Sequence, residues 1–231
     1  MIRGLYSAAG GMQATSQQQD AVAHNLAHSM KPGYLREIVR FDATEPADGI
    51  QPPATSVHTD FSPGSMNHTG NKLDLALKGP GFFSVQGPTG PVYTRNGVFQ
   101  MSPNGQLVTV DGLPAMGTGG PIDLPPQALN IEVQNDGTIV ADGIEVGQLR
   151  IVNFQDPSQL QRAGTTYFTA PPDATTGQPP EVFQGYKEVS NSTLVQEMVQ
   201  MIAGVRHFEA AQRALRSIAD AVANNTRPLT G

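Results

Sequence analysis

Three features of the 231-residue sequence predict an α+β fold in which two long terminal α-helices form a coiled-coil-like pair and a mainly antiparallel β domain is inserted between them. Apolar residues recur at alternating three- and four-residue steps near both ends. Asn-Gly and Asp-Gly dipeptides, the strongest short hairpin signals, punctuate the middle. Gly (25) and Pro (19) supply nearly a fifth of the chain, while charged residues are only 15%. Such a composition is rich in turns.

Residues 5–26 place Leu5, Ala8, Met12, Thr15, Gln19, Val22 and Leu26 on one helical stripe. The stripe is weak, because Gly10 and Gly11 each cost about 0.8–1 kcal/mol in a helix interior relative to Ala. Alone in water this segment is expected to be mostly unfolded. Lys31-Pro32-Gly33-Tyr34 supplies a Pro-Gly stop. Residues 42–66, with Pro46, Pro52, Pro53 and Pro63, read as an extended connector. The predicted strands are Leu73–Leu77, Phe82–Gln86, Val92–Arg95, Phe99–Met101, Leu107–Val110, Asn130–Val133, Thr138–Ala141 and Val146–Phe154, and residues 171–180 form a Pro-rich loop.

The C-terminal stripe is stronger. Leu194, Met198, Met201, Val205, Phe208, Leu215 and Val222 share it, interrupted by the polar Gln212. Asn191, Ser192 or Thr193 can cap its start, and Pro228 lies beyond its end. At about 1.5–3 kcal/mol per fully buried side chain, this stripe stabilises little until a partner covers it. The expected organisation is a first helix over 1–40, a connector over 41–70, a β-rich domain over 71–185 and a second helix over 186–231.

Composition removes several classes of chemistry. The absence of Cys rules out disulfides, thiolate metal sites and Cys nucleophiles. The net charge of −6 is concentrated in residues 41–185, which carry −9 against +2 for residues 1–40 and +1 for residues 186–231. With no Lys/Arg cluster, nucleic acid has no electrostatic footprint to bind. No apolar run is long enough to span a bilayer, so direct membrane insertion is not expected. The opening Met1-Ile2-Arg3-Gly4-Leu5-Tyr6 leads into a Gln-rich stretch without a greasy segment, so the expectation is export, if any, without a cleaved leader.

No catalytic, cofactor-binding or metal-ligating set is predicted, and no small-molecule substrate. His24 and His28 are four apart on the first helix but lack a third ligand, and are read as surface or subunit-contact residues. His58, His68 and His207 are isolated. No nucleophile elbow, P-loop or dinucleotide fingerprint is present. Asp111, Asp136 and Asp142 precede Gly, where their carboxylates cap turns. Two other readings stand beside a structural one: a secreted enzyme using a carboxylate pair on cell-wall sugar, for which Asp123 and the turn aspartates are the available acids, and a carbohydrate-binding β module. Met198 and Met201 are read as packing residues rather than a peptide groove.

Four separated motifs resemble the bacterial flagellar rod and hook basal-body protein family. The first is the opening run from Met1 to Met12, and the second is Asn25-Leu26-Ala27 followed by Pro32-Gly33-Tyr34. The third runs from Leu73 through Lys78-Gly79-Pro80-Gly81-Phe82-Phe83, then Tyr93-Thr94-Arg95-Asn96-Gly97 and Asn104-Gly105. The fourth comprises Glu188-Val189-Ser190-Asn191, Glu197-Met198-Val199 and Arg206-His207-Phe208-Glu209. His24 and His28 stand where the family usually has Asn. Coverage is nearly end to end.

The resemblance implies a non-enzymatic axial subunit, exported through the flagellar type III apparatus and assembled with itself and other rod or hook proteins into a helical tube. It would lie in the basal body, in the rod that crosses the periplasm, and serve motility. The short connector and the Gly119-Gly120-Pro121-Ile122-Asp123-Leu124-Pro125 stretch look most like the proximal rod type, with distal rod or hook types as the alternative. Subunit packing would fall to Leu5, Met12, Val22 and Leu26 on the first helix and to the seven apolar residues of the C-terminal stripe.

Overall fold

The computed structural model describes residues 2–42, 54–171, 174 and 176–226, and the side chains of 9–41, 55–171, 174 and 177–221. Its chain divides into two compact units. One comprises Met1–Ala27, Glu37–Asp60 and Thr193–Gly231; the other comprises His28–Arg36 and Phe61–Ser192. The chain therefore passes between units at four points in sequence.

The first unit holds helix α1 (Ile2–His28), an antiparallel hairpin of Glu37–Asp42 with Ala54–Thr59, and helix α2 (Leu194–Thr226). On α1, Ala14, Ala21, Val22 and Asn25 are buried, and Met12 and Leu26 are half-buried. The hairpin lies where an extended connector is expected from its prolines; residues 43–53, which carry Pro46, Pro52 and Pro53, fall outside the described residues. A lone two-stranded hairpin is marginal in water, so this one depends on α1. Gln17 bonds Thr55, and the Asn25 side chain donates to the Glu37 carbonyl at 2.8 Å and accepts from the Glu37 N–H at 2.7 Å.

The second unit is the β domain. Its largest sheet has six antiparallel strands in the order Gln161–Arg162, Tyr167–Thr169, Gly90–Thr94, Phe82–Gly87, Ile151–Phe154 and Thr176–Gly177. Strand alternation splits its core in two. Phe83 enters a cluster with Leu75, Phe99, Leu107 and Ile139, whereas the adjacent Phe82 enters one with Leu35, Phe154 and Phe168. Leu35, from the segment that follows α1, is thus a core residue of the β domain.

Predicted strands and hairpins recur with small changes. Phe99–Met101 pairs Leu107–Thr109 around Asn104-Gly105, and Thr138–Ala141 pairs Ile144–Gln148 around Asp142-Gly143. The single strand expected over Val146–Phe154 is two, since the chain breaks at Leu149 and Arg150. There the Leu149 N–H donates to the Gly137 carbonyl and the Arg150 N–H to that of Met116. The Asn96-Gly97 pair is not a two-residue hairpin turn. Gly97 is there for space: its carbonyl accepts from the Leu75 N–H at 2.8 Å, and a Cβ would overlap the Leu75 carbonyl and come within 2.8 Å of the Phe83 ring.

Met66–His68, Glu181–Gln184 and Tyr186–Glu188 are strands that periodicity did not reveal. Each is three or four residues long, and their apolar content is too low to register in a window. Phe83 is fully buried, so Phe83→Ala is expected to lower unfolding free energy by about 3–5 kcal/mol, read by urea denaturation of the full chain.

Candidate assembly interface

Two arrangements stand out, one in each unit. In the β domain, the recognisable motif residues converge on a buried ion pair. Arg95 Nη2 lies 2.6 Å from Glu188 Oε2, with both side chains almost wholly buried. Arg95 Nη1 donates to the carbonyls of Gly79 and Gly81, each at 2.7 Å. Glu188 Oε1 accepts from the Gly64 N–H at 2.9 Å, and its main-chain carbonyl accepts from the Gly33 N–H at 2.9 Å. Burial of two charges costs several kcal/mol per ion unless each finds close partners, and here both do.

Pro32-Gly33-Tyr34 seats itself on this pair. Gly33 has φ +66°, and a Cβ would overlap the Asn96 backbone, so both conformation and space demand glycine. Tyr34 is fully buried with its ring against His28 at 5.4 Å and the Arg162 guanidinium over its face at 5.3 Å. Asn191 completes the set. Its Oδ1 accepts from the Arg36 N–H at 2.7 Å and its Nδ2 donates to the Ser62 carbonyl at 2.9 Å. Residues 36, 62 and 191 adjoin three of the four points where the chain changes unit, and one side chain ties them together. Ser190 Oγ accepts from the Ser192 N–H at 3.0 Å in the same segment.

The other arrangement is α2. Its first intrahelical bond runs from the Glu197 N–H to the Thr193 carbonyl at 3.0 Å, and Glu197 itself is buried. Leu194, Val195, Met198, Val199, Ile202 and Val205 are exposed, Val195 by 71% and Val199 by 61%. Met201, Gly204, Phe208, Ala211 and Leu215 are only partly exposed. Met201 and Gly204 lie beside α1, where Gln19 Nε2 donates to the Met201 carbonyl at 3.1 Å and where a Cβ on Gly204 would overlap the Gln19 amide. The predicted stripe is therefore split between two faces: Met201, Phe208 and Leu215 lie on the less exposed one, Leu194, Met198 and Val205 on the open one. Leu5 and Val222 belong to α1 and α2, and their side chains lie outside the described residues. Arg206 and Glu209 are exposed on α2.

A contiguous exposed apolar face of this kind marks an interaction surface. Sequence periodicity found the helix but under-counted the face, since Val195, Val199 and Ile202 fall off a strict four-three register. His24 also has a described contact, its Nδ1 lying 3.3 Å from Glu37 Oε1. Among the described residues no group of His, Asp and Glu is placed to hold a metal ion.

Burial pushes the Glu188 carboxyl above the ordinary carboxylate range, against the pull of the Arg95 guanidinium and the Gly64 N–H. Between the ordinary and the raised value the folded state holds a proton that the unfolded chain has lost. The contribution of this group to stability therefore falls as pH rises through that window. The stability advantage of the native chain over Glu188→Gln is expected to narrow as pH is raised from the ordinary carboxylate range toward neutrality, read by denaturant midpoints at each pH. Arg95→Ala, which leaves Glu188 buried without its cation, is expected to cost about 3–5 kcal/mol at neutral pH by the same measurement.

Comparison with known proteins covers both regions. Residues 76–141 match the flagellar hook protein FlgE/F/G D1 domain, and residues 184–221 match the flagellar basal body rod FlgEFG protein C-terminal. The chain is 34% identical over 243 residues to the flagellar basal-body rod protein FlgF of Escherichia coli, covering 95% of each. It is 32% identical over 235 residues to the FlgF of Caulobacter vibrioides, again covering 95% of each. With the flagellar basal-body rod protein FlgG of Buchnera aphidicola from Schizaphis graminum it shares 30% identity over 254 residues, covering 94% of this chain and 96% of the relative. Coverage at this level includes α1, the β domain and α2 together, and the chain belongs to the flagellar basal-body rod protein family.

Proposed function

We propose that the protein is a structural subunit of the flagellar basal-body rod, of the proximal-rod type, and that it polymerises into a helical tube which encloses the export channel and transmits torque. The observation that carries this reading is the open apolar face of α2 in a chain whose relatives are named rod proteins. It is a structural protein of the basal body and not an enzyme. The proximal type fits the FlgF and FlgG relatives, at 34%, 32% and 30% identity in alignments of 243, 235 and 254 residues. The longer FlgG alignment, at similar coverage of this chain, marks additional insertions.

Within the rod, α1 and α2 pair in a coiled-coil-like inner layer and the β domain faces outward. The inner layer is drawn from α1, the hairpin beside it and α2, and the outer domain from residues 28–36 and 61–192. Leu5, Met12 and Leu26 on α1, with Leu194, Met198, Met201, Val205, Phe208, Leu215 and Val222 on α2, bury themselves between subunits, whereas Val22 is already buried within the chain. Val195, Val199 and Ile202 extend that surface. Partners are further copies and other rod or hook proteins, delivered across the periplasm by the flagellar type III apparatus. Weak helices that fold on assembly suit such a route, since ordering is deferred until neighbours supply burial.

Phe208→Asp and Val199→Asp are each expected to abolish rod assembly and motility while leaving the strand signal of the β domain in circular dichroism intact. Unaltered rods in both variants would overturn the assignment of α2. Limited proteolysis of the purified native monomer is expected to remove the terminal helices from a resistant β core; ends as resistant as the core would indicate a closed monomer.

A further inference from the structure

In the β domain, Thr89, Tyr93, Arg150, Val152, Phe154 and Thr169 line a cavity of about 450 Å³, a size typical of small-ligand sites. Register explains what the lining residues share. Val152 stands opposite Phe82 and Tyr93 opposite Ser84, and the Ser84 N–H donates to the Arg150 carbonyl at 3.0 Å. Alternation puts Phe82 and Ser84 on one side of the pleat, so Tyr93, Arg150 and Val152 project from that side too. The Tyr93 and Phe154 rings meet edge to face at 4.9 Å and form an aromatic wall.

Arg150 differs from every other cation of this acidic region. Residues 41–185 hold five cationic side chains against fourteen carboxylates. Lys78 pairs with Glu181 and Arg95 with Glu188, Lys72 donates to Asn130, and Arg162 donates to the carbonyls of Leu35 and Thr165. The Arg150 guanidinium has neither an ion pair nor a hydrogen bond to any described residue, and no carboxylate lines the cavity among the described residues. Its backbone is fixed on both sides, since the Arg150 N–H donates to the Met116 carbonyl at 2.8 Å. Two hydroxyls nearby are also unspent. Tyr93 is buried and its hydroxyl bonds no described residue, and the Ser84 Oγ, buried between Tyr93 and Arg150, has no hydrogen-bond partner. Buried hydroxyls ordinarily have partners, and a face that served packing alone would carry apolar side chains in these places.

We propose that this cavity binds a carboxylated sugar. The guanidinium takes the carboxylate, whose two oxygens match its planar fork. The aromatic wall takes the apolar C–H surface of the sugar ring. The hydroxyls of Thr89, Tyr93 and Thr169 exchange hydrogen bonds with those of the sugar. One guanidinium without a second cation beside it matches a single carboxylate rather than a phosphate dianion, and an aromatic acid would leave the three hydroxyls unpaired. The proposal goes beyond the assembly role, because it uses neither helix.

The test is saturation-transfer NMR on the full-chain monomer with glucuronate, galacturonate and N-acetylneuraminate, against glucose and benzoate. Expected is transfer to at least one sugar acid, bound about tenfold or more tightly than glucose or benzoate, and about tenfold or more weakly by Arg150→Gln. Arg150 is exposed, so this variant is expected to keep the native circular dichroism and urea midpoint. Tyr93→Phe, which retains the wall and removes a hydroxyl without a partner, is expected to weaken binding about threefold or more and not to lower the urea midpoint. Equal affinity for glucose, equal or tighter binding of benzoate, unchanged affinity in Arg150→Gln, or no transfer to any of the three acids at about 10 mM overturns the proposal. Loss of assembly in the Phe208→Asp variant bears on the helices alone, so the two readings fail separately.

Discussion

The buried pairing of Arg95 with Glu188 is the interaction on which the β domain's entrances and exits depend. A domain inserted between terminal helices must admit the chain and release it again, so backbone that enters and backbone that leaves meet without being neighbours in sequence. Such backbone carries polar groups that a β ladder does not satisfy. Here one carboxylate and one guanidinium satisfy them: the carbonyls of Gly79 and Gly81, the N–H of Gly64 and, through the Glu188 carbonyl, the N–H of Gly33. Asn191 does the same for Arg36 and Ser62 with an uncharged side chain. Arg95 reaches the Gly79 and Gly81 carbonyls and the Glu188 carboxylate together because its guanidinium presents donors in a planar fork, which the point charge of a Lys would not reproduce.

This arrangement explains why the motif residues are what they are. Gly33 must be left-handed and flat against Asn96; Gly97 must leave room for the Leu75 carbonyl; Asn25 must have both a donor and an acceptor to close on the Glu37 backbone. None of these residues does chemistry on a ligand. Their identities follow from backbone crossings, which is how a protein with no reaction to perform comes to carry dense, spaced sequence signatures.

Much of this was legible in the sequence and some was not, for separable reasons. Helices with three- and four-residue steps and hairpins marked by Asn104-Gly105 and Asp142-Gly143 are encoded within a dozen residues, so local reading recovers them. Met66–His68 pairs with Tyr186–Glu188 across more than a hundred residues of sequence, and nothing local in either segment signals the other. Glu188 was visible within a motif, but its role was not, since a buried Glu is recognisable only when its Arg is placed beside it. The split of the α2 stripe has a similar origin. Periodicity shows that a helix is apolar on one side; it does not show which part of that side α1 already covers.

The two units place opposite demands on the same chain. In the β domain, aromatic pairs such as Phe83 with Phe99 and Tyr93 with Phe154 close a core that is complete in one molecule. In the helical unit, Val195, Val199 and Ile202 remain in water and Gly10 and Gly11 weaken α1. Stability and incompleteness are thus separated along the chain rather than averaged over it. Completing the helices within the monomer would require covering α2 with its own side chains, and that would remove the exposed apolar face proposed as the contact between copies. On the proposed assembly role, the burial that α2 lacks in one molecule is supplied by its neighbours, so contacts between copies would stabilise the same helix that makes them.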